Sequence, residues 1–269
     1  MIIDFHTHIF PDKIAEKTIP YLMKMGKVDS FGNGTLTCQQ AAMKSAGIDY
    51  AVVMPVCTKP SQFDSINRFA AEINGKGGII SFGGIHPLCD GIDEKLKSLK
   101  EHGFKGIKLH PDYQETHILD ENMVKLIKKA LELDFYITLH AGIDPAFPEF
   151  VHCPPADSKK LLDLIYGTDR SSVTPRLILA HLGGYNQFDQ VEKHLIGEPV
   201  YFDLAVILDK APKEQLERII KSHGADKILF ASDFPWSDLT EDLKIFNSLD
   251  LTDEEKELIL HKNAEKMLF

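Results

Sequence analysis

Two histidines two positions apart, His6 and His8, stand near the start of the chain in the segment DFHTHIFP. If this segment is a strand, both imidazoles point the same way, because side chains alternate with a period of two. Two neutral imidazoles so placed can grip one divalent metal, since Zn–N bonds of ~2.0 Å need converging ligands. Asp4 is expected on the same face, one step lower. Three later segments also end in ligand-type side chains: FYITLHAG at His140, RLILAHLGG at His181 and KILFASDFPW at Asp233. Below these tips the residues are apolar, with Phe135, Ile137 and Leu139 read as outward, and Leu177, Leu179, Leu229 and Ala231 read as inward. A single buried histidine is easily satisfied. Polar tips on four strands would each need a buried partner, and a shared cation supplies one for all of them.

The segment FKGIKLHP adds two more groups. Ile107 and Leu109 share one face, and Gly106, Lys108 and His110 share the other. The Lys108 ammonium can pair with a carboxylate, Asp4 or Asp233, or with a substrate. His110, nearer the rim, reads as a substrate contact before a metal ligand. Asp203, in YFDLA, can orient a ligand or cap the following helix.

These side chains need a scaffold that brings strand ends together. Short apolar runs at Ile2–His6, Tyr50–Met54, Ile79–Ile85, Phe104–His110, Phe135–His140, Arg176–His181, Val200–Leu204 and Lys227–Ser232 read as strands. Amphipathic segments separate them, and a last helix is expected over Asp253–Leu268, with Thr252 and Glu255 spaced as a capping box. About eight β-then-α units imply a parallel sheet with helices outside it. A doubly wound sheet would carry a glycine-rich fingerprint after the first strand, and DFHTHIFPD is unlike one. The expected architecture is therefore a (β/α)8 TIM barrel, one α/β domain over residues 1–269. The longest irregular segments, Gly26–Thr37 and Ala141–Pro155, lie near the C-terminal strand ends, where a barrel builds its site.

Length and composition agree with this reading. A chain of 269 residues, 43% hydrophobic, suits one large barrel core. The net charge of −10 and the absence of basic–aromatic tracts argue against a nucleic-acid surface. No apolar run reaches the ~18 residues of a membrane span. The four cysteines are scattered, without a CxxC pair. Together with the lack of a leader-like opening, this leads us to expect a cytoplasmic protein.

In these motifs the chain resembles the amidohydrolase superfamily. Specifically, it resembles the branch of metal-dependent TIM-barrel hydrolases that also includes aminocarboxymuconate-semialdehyde decarboxylase. The resemblance rests on DFHTHIFP, GIHP, GIKLHP, LHAG, AHLGG and SDFPW, in that order, and on the terminal NAEKMLF. It implies His6, His8, His140 and Asp233 as metal ligands, and Asp233 as the proton shuttle. His181 is implied as a catalytic, oxyanion-stabilising group or as a second-metal ligand. It also raises the alternative that Lys108 is carboxylated and bridges two metals, as in dihydroorotase-like relatives. Phe10, Tyr113, Tyr185 and Trp236 follow rim motifs and, with His110, are candidate walls for a small substrate.

The expected cofactor is Zn2+, one ion or two, with Mn2+ or another divalent ion as the alternative. The expected activity is hydrolysis of an amide, ester or lactone of a small carbonyl or carboxylate compound by a metal-activated water. A metal-dependent lyase acting on an unsaturated or aromatic carboxylate, as decarboxylase or hydratase, is the alternative. A non-catalytic metal-binding barrel is the third reading, against which Asp233 argues. Neither membrane nor nucleic acid is an expected partner, and assembly as a homo-oligomer is left open.

Overall fold

Strands and helices alternate along all 269 residues of the computed structural model. The strands are β1 (Ile3–Thr7), β2 (Tyr50–Val53), β3 in two pieces (Ile79–Ser81 and Gly83–Gly84), β4 (Gly106–Leu109), β5 (Tyr136–Leu139), β6 (Leu177–Leu179), β7 (Tyr201–Asp203) and β8 (Ile228–Leu229). Every neighbouring pair is parallel, and the ladders group into sheets of three and six strands. One seam lies inside β3, where Phe82 N still donates to Val53 O while Gly83 and Gly84 pair with Ile107 and Lys108. Across the other seam, Phe5 N donates to Phe230 O, Asp233 N to His6 O and His8 N to Phe234 O. These bonds bring β1 against the segment after β8 and close the (β/α)8 arrangement.

Two apolar clusters divide the wall. Ala51, Val53, Ile107, Leu109, Ile137, Leu139, Ile228 and Phe230 pack outward with the helices. Ile3, Phe5, Val52, Met54, Phe82, Ile178, Leu229 and Ala231 fill the interior, together with Ala264, Met267 and Leu268 of the last helix. Phe82 occupies space that Gly106 leaves free, since a Cβ there would lie 2.3 Å from its ring. The last helix thus plugs the barrel at the N-terminal strand ends, where Phe269 meets Tyr50.

Strand parity departs from expectation at two places. In β1, Asp4 lies opposite Ala51 but Thr7 lies opposite Val53, so β1 carries one extra residue, a bulge. Asp4 therefore faces the helix side with Ala51, where it accepts from Ser232 N (2.9 Å) and Oγ (2.5 Å), and it does not share a face with His6. In β6, Leu177 and Leu179 pack outward and Ile178 inward, the reverse of the sequence expectation. His181 still reaches the rim because its backbone, at φ +59°, and that of Leu182, at φ +57°, turn out of the extended conformation. Left-handed geometry is costly for residues with a Cβ and concentrates at functional sites.

A helix over Asp12–Gly26 is also absent from the sequence reading. Its apolar residues do not form one stripe, since Ala15 and Ile19 are buried while Ile14, Tyr21 and Met25 are exposed. Pro20 sits inside it, where a proline normally signals a break. The last helix keeps its expected span with a π-helical turn at Leu258–Lys262, and the Thr252–Glu255 capping box is present. The four cysteines are unpaired. No helix is long and apolar enough to cross a membrane.

Away from the strand ends, His223 tests the packing. Its ring stacks on Phe202 at 4.0 Å, Nε2 donates to Val200 O and Nδ1 accepts from Gly197 N. Burial pushes its pKa down from 6.5 to about 4. The unfolded chain therefore binds the proton more readily, so this stability is complete above pH 6.5 and is lost as pH falls toward about 4. In urea titrations, wild type should lose about 2–3 kcal/mol more than His223→Gln between about pH 7.5 and about pH 4.5. Parallel losses in the two proteins would show that His223 is not the titrating group.

Candidate metal centre and cavity

The strand ends open into a cavity of about 1440 Å3. His6, His8, Lys108, His110, His140, His181 and Asp233 all line it, as do Phe10, Tyr113, Tyr185 and Trp236. The sequence candidates thus share one cavity, within which they form two groups.

In the first group, His6, His8 and Asp233 bring one ligand atom each within 4.8 Å of the others. His6 Nδ1 is 2.9 Å from Asp203 Oδ2, and His8 Nδ1 is 3.0 Å from Met54 O. Both partners are acceptors, so each Nδ1 donates, and in the tautomer this selects Nε2 carries the lone pair. Those lone pairs face Asp233 Oδ1, at 3.5 Å from His6 and 3.0 Å from His8. Asp233 Oδ1 is buried and has no hydrogen-bond donor. Three acceptor atoms converge with no hydrogen between them, and the nearest donor is the Lys108 ammonium, 3.0 Å from His6 Nε2. Ligands on ~2.0 Å bonds to a tetrahedral ion stand ~3.3 Å apart, close to the observed separations.

The surroundings fix this group. Asp203 is fully buried and also accepts from His181 N (2.8 Å) and Ala205 N (3.2 Å), so its role is to hold the His6 ring. Burial, reinforced by the Lys108 charge, holds His6 well below its ordinary pKa and keeps it neutral. Lys108 Nζ lies 3.0 Å from His6 Nε2, and burial lowers its pKa to about 8. The side chain is thus inside the barrel, as expected, but it meets an imidazole, while Asp4 is occupied by Ser232.

His140 and His181 stand to one side. His181 Nδ1 is 3.0 Å from Ala205 O and must donate, which leaves Nε2 to accept from His140 Nδ1 at 2.9 Å. His140 also brings a ligand atom within 4.8 Å of His110 and Asp144. Gly142 shapes this wall: at φ +88°, a Cβ there would lie 2.1 Å from Tyr185 N. Tyr113 packs edge-on to His110 and to Phe147, and Tyr185 packs edge-on to His181.

Sequence reading did not single out Asp112, Gln114, Asp144 or His152. Gln114 Oε1 accepts from His110 N while its amide donates to Cys57 O and Ile85 O, which ties three rim segments together. Asp144 lies in the irregular segment already assigned to the rim, and Asp112 follows His110 by two residues. Those positions were the available signals, and neither made a recognisable metal spacing.

Purified protein should retain a tightly held divalent ion that His6→Ala/His8→Ala lacks by elemental analysis. Asp203→Asn should keep every ligand yet weaken metal affinity ~10–100-fold, the usual effect of removing a ligand's orienting partner. Wild-type affinity in Asp203→Asn would show that the His6 ring is positioned by something else.

No protein of curated function matches the chain in sequence. Among solved structures, a TIM-barrel protein from Bordetella bronchiseptica is similar at TM-score 0.75 and 15% identity, covering 99% of this chain and 98% of its own. 5-Carboxyvanillate decarboxylase from Novosphingobium aromaticivorans, with bound manganese, is similar at TM-score 0.71 and 14% identity, covering 100% and 97%. A putative 2-pyrone-4,6-dicarboxylic acid hydrolase from Pseudomonas putida is similar at TM-score 0.67 and 17% identity, covering 99% and 97%. At such identities these structures establish the barrel fold and no more. The family model described as amidohydrolase matches residues 3–269, nearly the whole chain, and the protein belongs to the amidohydrolase family.

Proposed function

We propose that the protein is a metal-dependent hydrolase that cleaves an amide, ester or lactone in a small carbonyl or carboxylate compound. The observation that carries this reading is Asp233 Oδ1, buried and without a donor between two imidazole lone pairs. His6, His8 and Asp233 would hold the ion, with Zn2+ the first choice for this donor set and Mn2+ the alternative. Bound there, a divalent cation supplies Lewis acidity and lowers the pKa of water toward neutrality.

The chain's own residues supply the rest. The Asp233 carboxylate accepts the proton of the attacking water through its second oxygen. Water's oxygen bonds to the carbonyl carbon, the carbon–heteroatom bond breaks, and Asp233 returns the proton to the leaving atom. The Lys108 ammonium and the His181 ring flank the position where negative charge develops on the substrate oxygen. Tyr113, Phe147, Tyr185, Phe10 and Trp236 give the cavity aromatic walls, which favour a flat, unsaturated substrate. The four unpaired cysteines support a reducing, cytoplasmic setting.

The aromatic walls also favour a second reading, decarboxylation of an aromatic carboxylate, the reaction named for the manganese-containing neighbour. Isotopes separate the two readings. A hydrolase places one solvent oxygen from 18O-water in its product. A decarboxylase releases CO2 and, in D2O, leaves one deuterium on carbon. Once a screen of small carboxylates, lactones and amides yields a substrate, metal-loaded Asp233→Asn should lose ~10²–10⁴-fold in turnover. Turnover near wild type in a loaded Asp233→Asn protein would move the shuttle elsewhere, with His181 next to be substituted.

A further inference from the structure

The Asp12–Gly26 helix carries two sets of apolar residues, and only one of them is buried. Ala15 and Ile19 form the buried set. Ile14, Thr18, Tyr21, Leu22 and Met25 recur at spacings that place them together on another flank. All five line the cavity that also holds His6, His8 and Asp233. Ile14 is 52% exposed, Tyr21 58% and Met25 39%, and Phe31, just beyond the helix, adds a further cavity-lining side chain at 54%. These are four of the nine large apolar side chains that the molecule exposes, gathered at one opening. Apolar residues exposed singly are ordinary, whereas a contiguous set of them marks a binding surface.

This flank is anchored to the rim. Phe31 N donates to Pro235 O at 2.7 Å, and Phe10 N donates to Gly34 O at 2.8 Å. Ile19 fills the space at Gly34, where a Cβ would stand 2.7 Å from its Cδ1. Gly26, at the helix end, lies beside Pro145, whose Cβ is 3.9 Å from the place a Cβ would take on Gly26. Pro145, Phe147 and Pro148 line the cavity too. The mouth is thus bounded by an apolar helix and an apolar loop. A flat face of a second copy cannot follow such a concave wall, but a ligand entering the cavity passes along it.

We propose that the substrate carries an apolar arm, an alkyl chain of an acyl amide or ester, that lies along Ile14, Tyr21, Leu22 and Met25 while its carbonyl end sits beside His6, His8 and Asp233. The cavity of about 1440 Å3 exceeds the ~300–1,000 Å3 that encloses a drug-sized ligand. From Ile14 to Met25 the flank runs ~16 Å, enough for an extended chain of about ten carbons. The inference rests on the proposed hydrolysis for the chemistry of the reactive end alone. The place of the arm follows from the helix.

The probes are straight-chain carboxylates from butanoate to decanoate, the acyl products that such a hydrolysis releases. They are titrated below micelle-forming concentrations into the protein as purified. Affinity is read by calorimetry, and the emission of Trp236, the single tryptophan and a residue of the same cavity, reports where they bind. Affinity should rise about two- to fourfold per added methylene, with an increasingly negative heat-capacity change. Tyr21→Gln/Met25→Gln should flatten this dependence, and Ile14→Gln should weaken it in the same direction. These positions are exposed, where substitution is tolerated by the fold. Affinities that do not rise with chain length in wild type, or a rise unchanged in Tyr21→Gln/Met25→Gln, would overturn the proposal. So would a wild-type dimer, by sedimentation, that the double variant converts to monomer while chain length has no effect, since a second copy would then cover the flank. In His6→Ala/His8→Ala the dependence on chain length should persist. Unchanged affinities in that protein would defeat the placement of the reactive end, and with it the proposed function, while the place of the arm stands.

Discussion

The organisation of the rim follows from where three imidazole hydrogens go. Asp203, Met54 O and Ala205 O each take the Nδ1 hydrogen of one ring: His6, His8 and His181 respectively. All three are acceptors built into the barrel wall. They therefore fix both the tautomer and the direction of the opposite nitrogen. Lone pairs of His6 and His8 are aimed at Asp233, and that of His181 at His140. The site is thus specified by backbone carbonyls and one buried carboxylate as much as by the histidines themselves, a division of labour common around metal-binding imidazoles.

This arrangement demands departures from regular strand geometry, and the barrel accommodates them where its ladders are interrupted. Asp233 at φ +69° and His181 at φ +59° leave the extended conformation just beyond β8 and β6. The β1–β8 seam, closed by Phe5, His8 and Asp233 amides, holds the first of these in place. Below the rim the wall is regular and apolar, and Phe82, Leu229 and Ala231 fill it down to the plug formed by Met267 and Leu268. Rigidity at the base and strain at the rim are complementary, because a strained backbone persists only where its surroundings over-determine it.

Much of this was legible in the sequence, for physical reasons that differ by element. Strand identity came from short β-branched runs, and the number and order of the eight strands follow from them. The candidate residues that line the cavity were visible because a polar tip on an apolar strand is expensive without a partner, as at His140 and Asp233. What the pattern could not carry is parity. Leu177 and Leu179 look inward if β6 runs extended to His181, and only the left-handed turn reverses them. The Asp12–Gly26 helix hides behind Pro20 and a scattered apolar pattern. Asp112 and Asp144 escaped notice because a carboxylate on a loop is ordinary until the fold buries it against histidines.

The bulge in β1 has a consequence for how this strand can vary. It divides five residues into two functions: Ile3 to Phe5 belong to the wall, and His6 onward belongs to the chemistry. Side-chain orientation after the bulge depends on residue count, and a step of one exchanges the two sides of a strand. Gain or loss of a single residue between Asp4 and Thr7 would turn the imidazoles into the helical layer and deliver Thr7 to the cavity. Exchange of one apolar residue for another at Ile3 or Phe5 leaves that count untouched. The length of this segment, more than the choice among apolar residues in its wall, therefore decides where the imidazoles point.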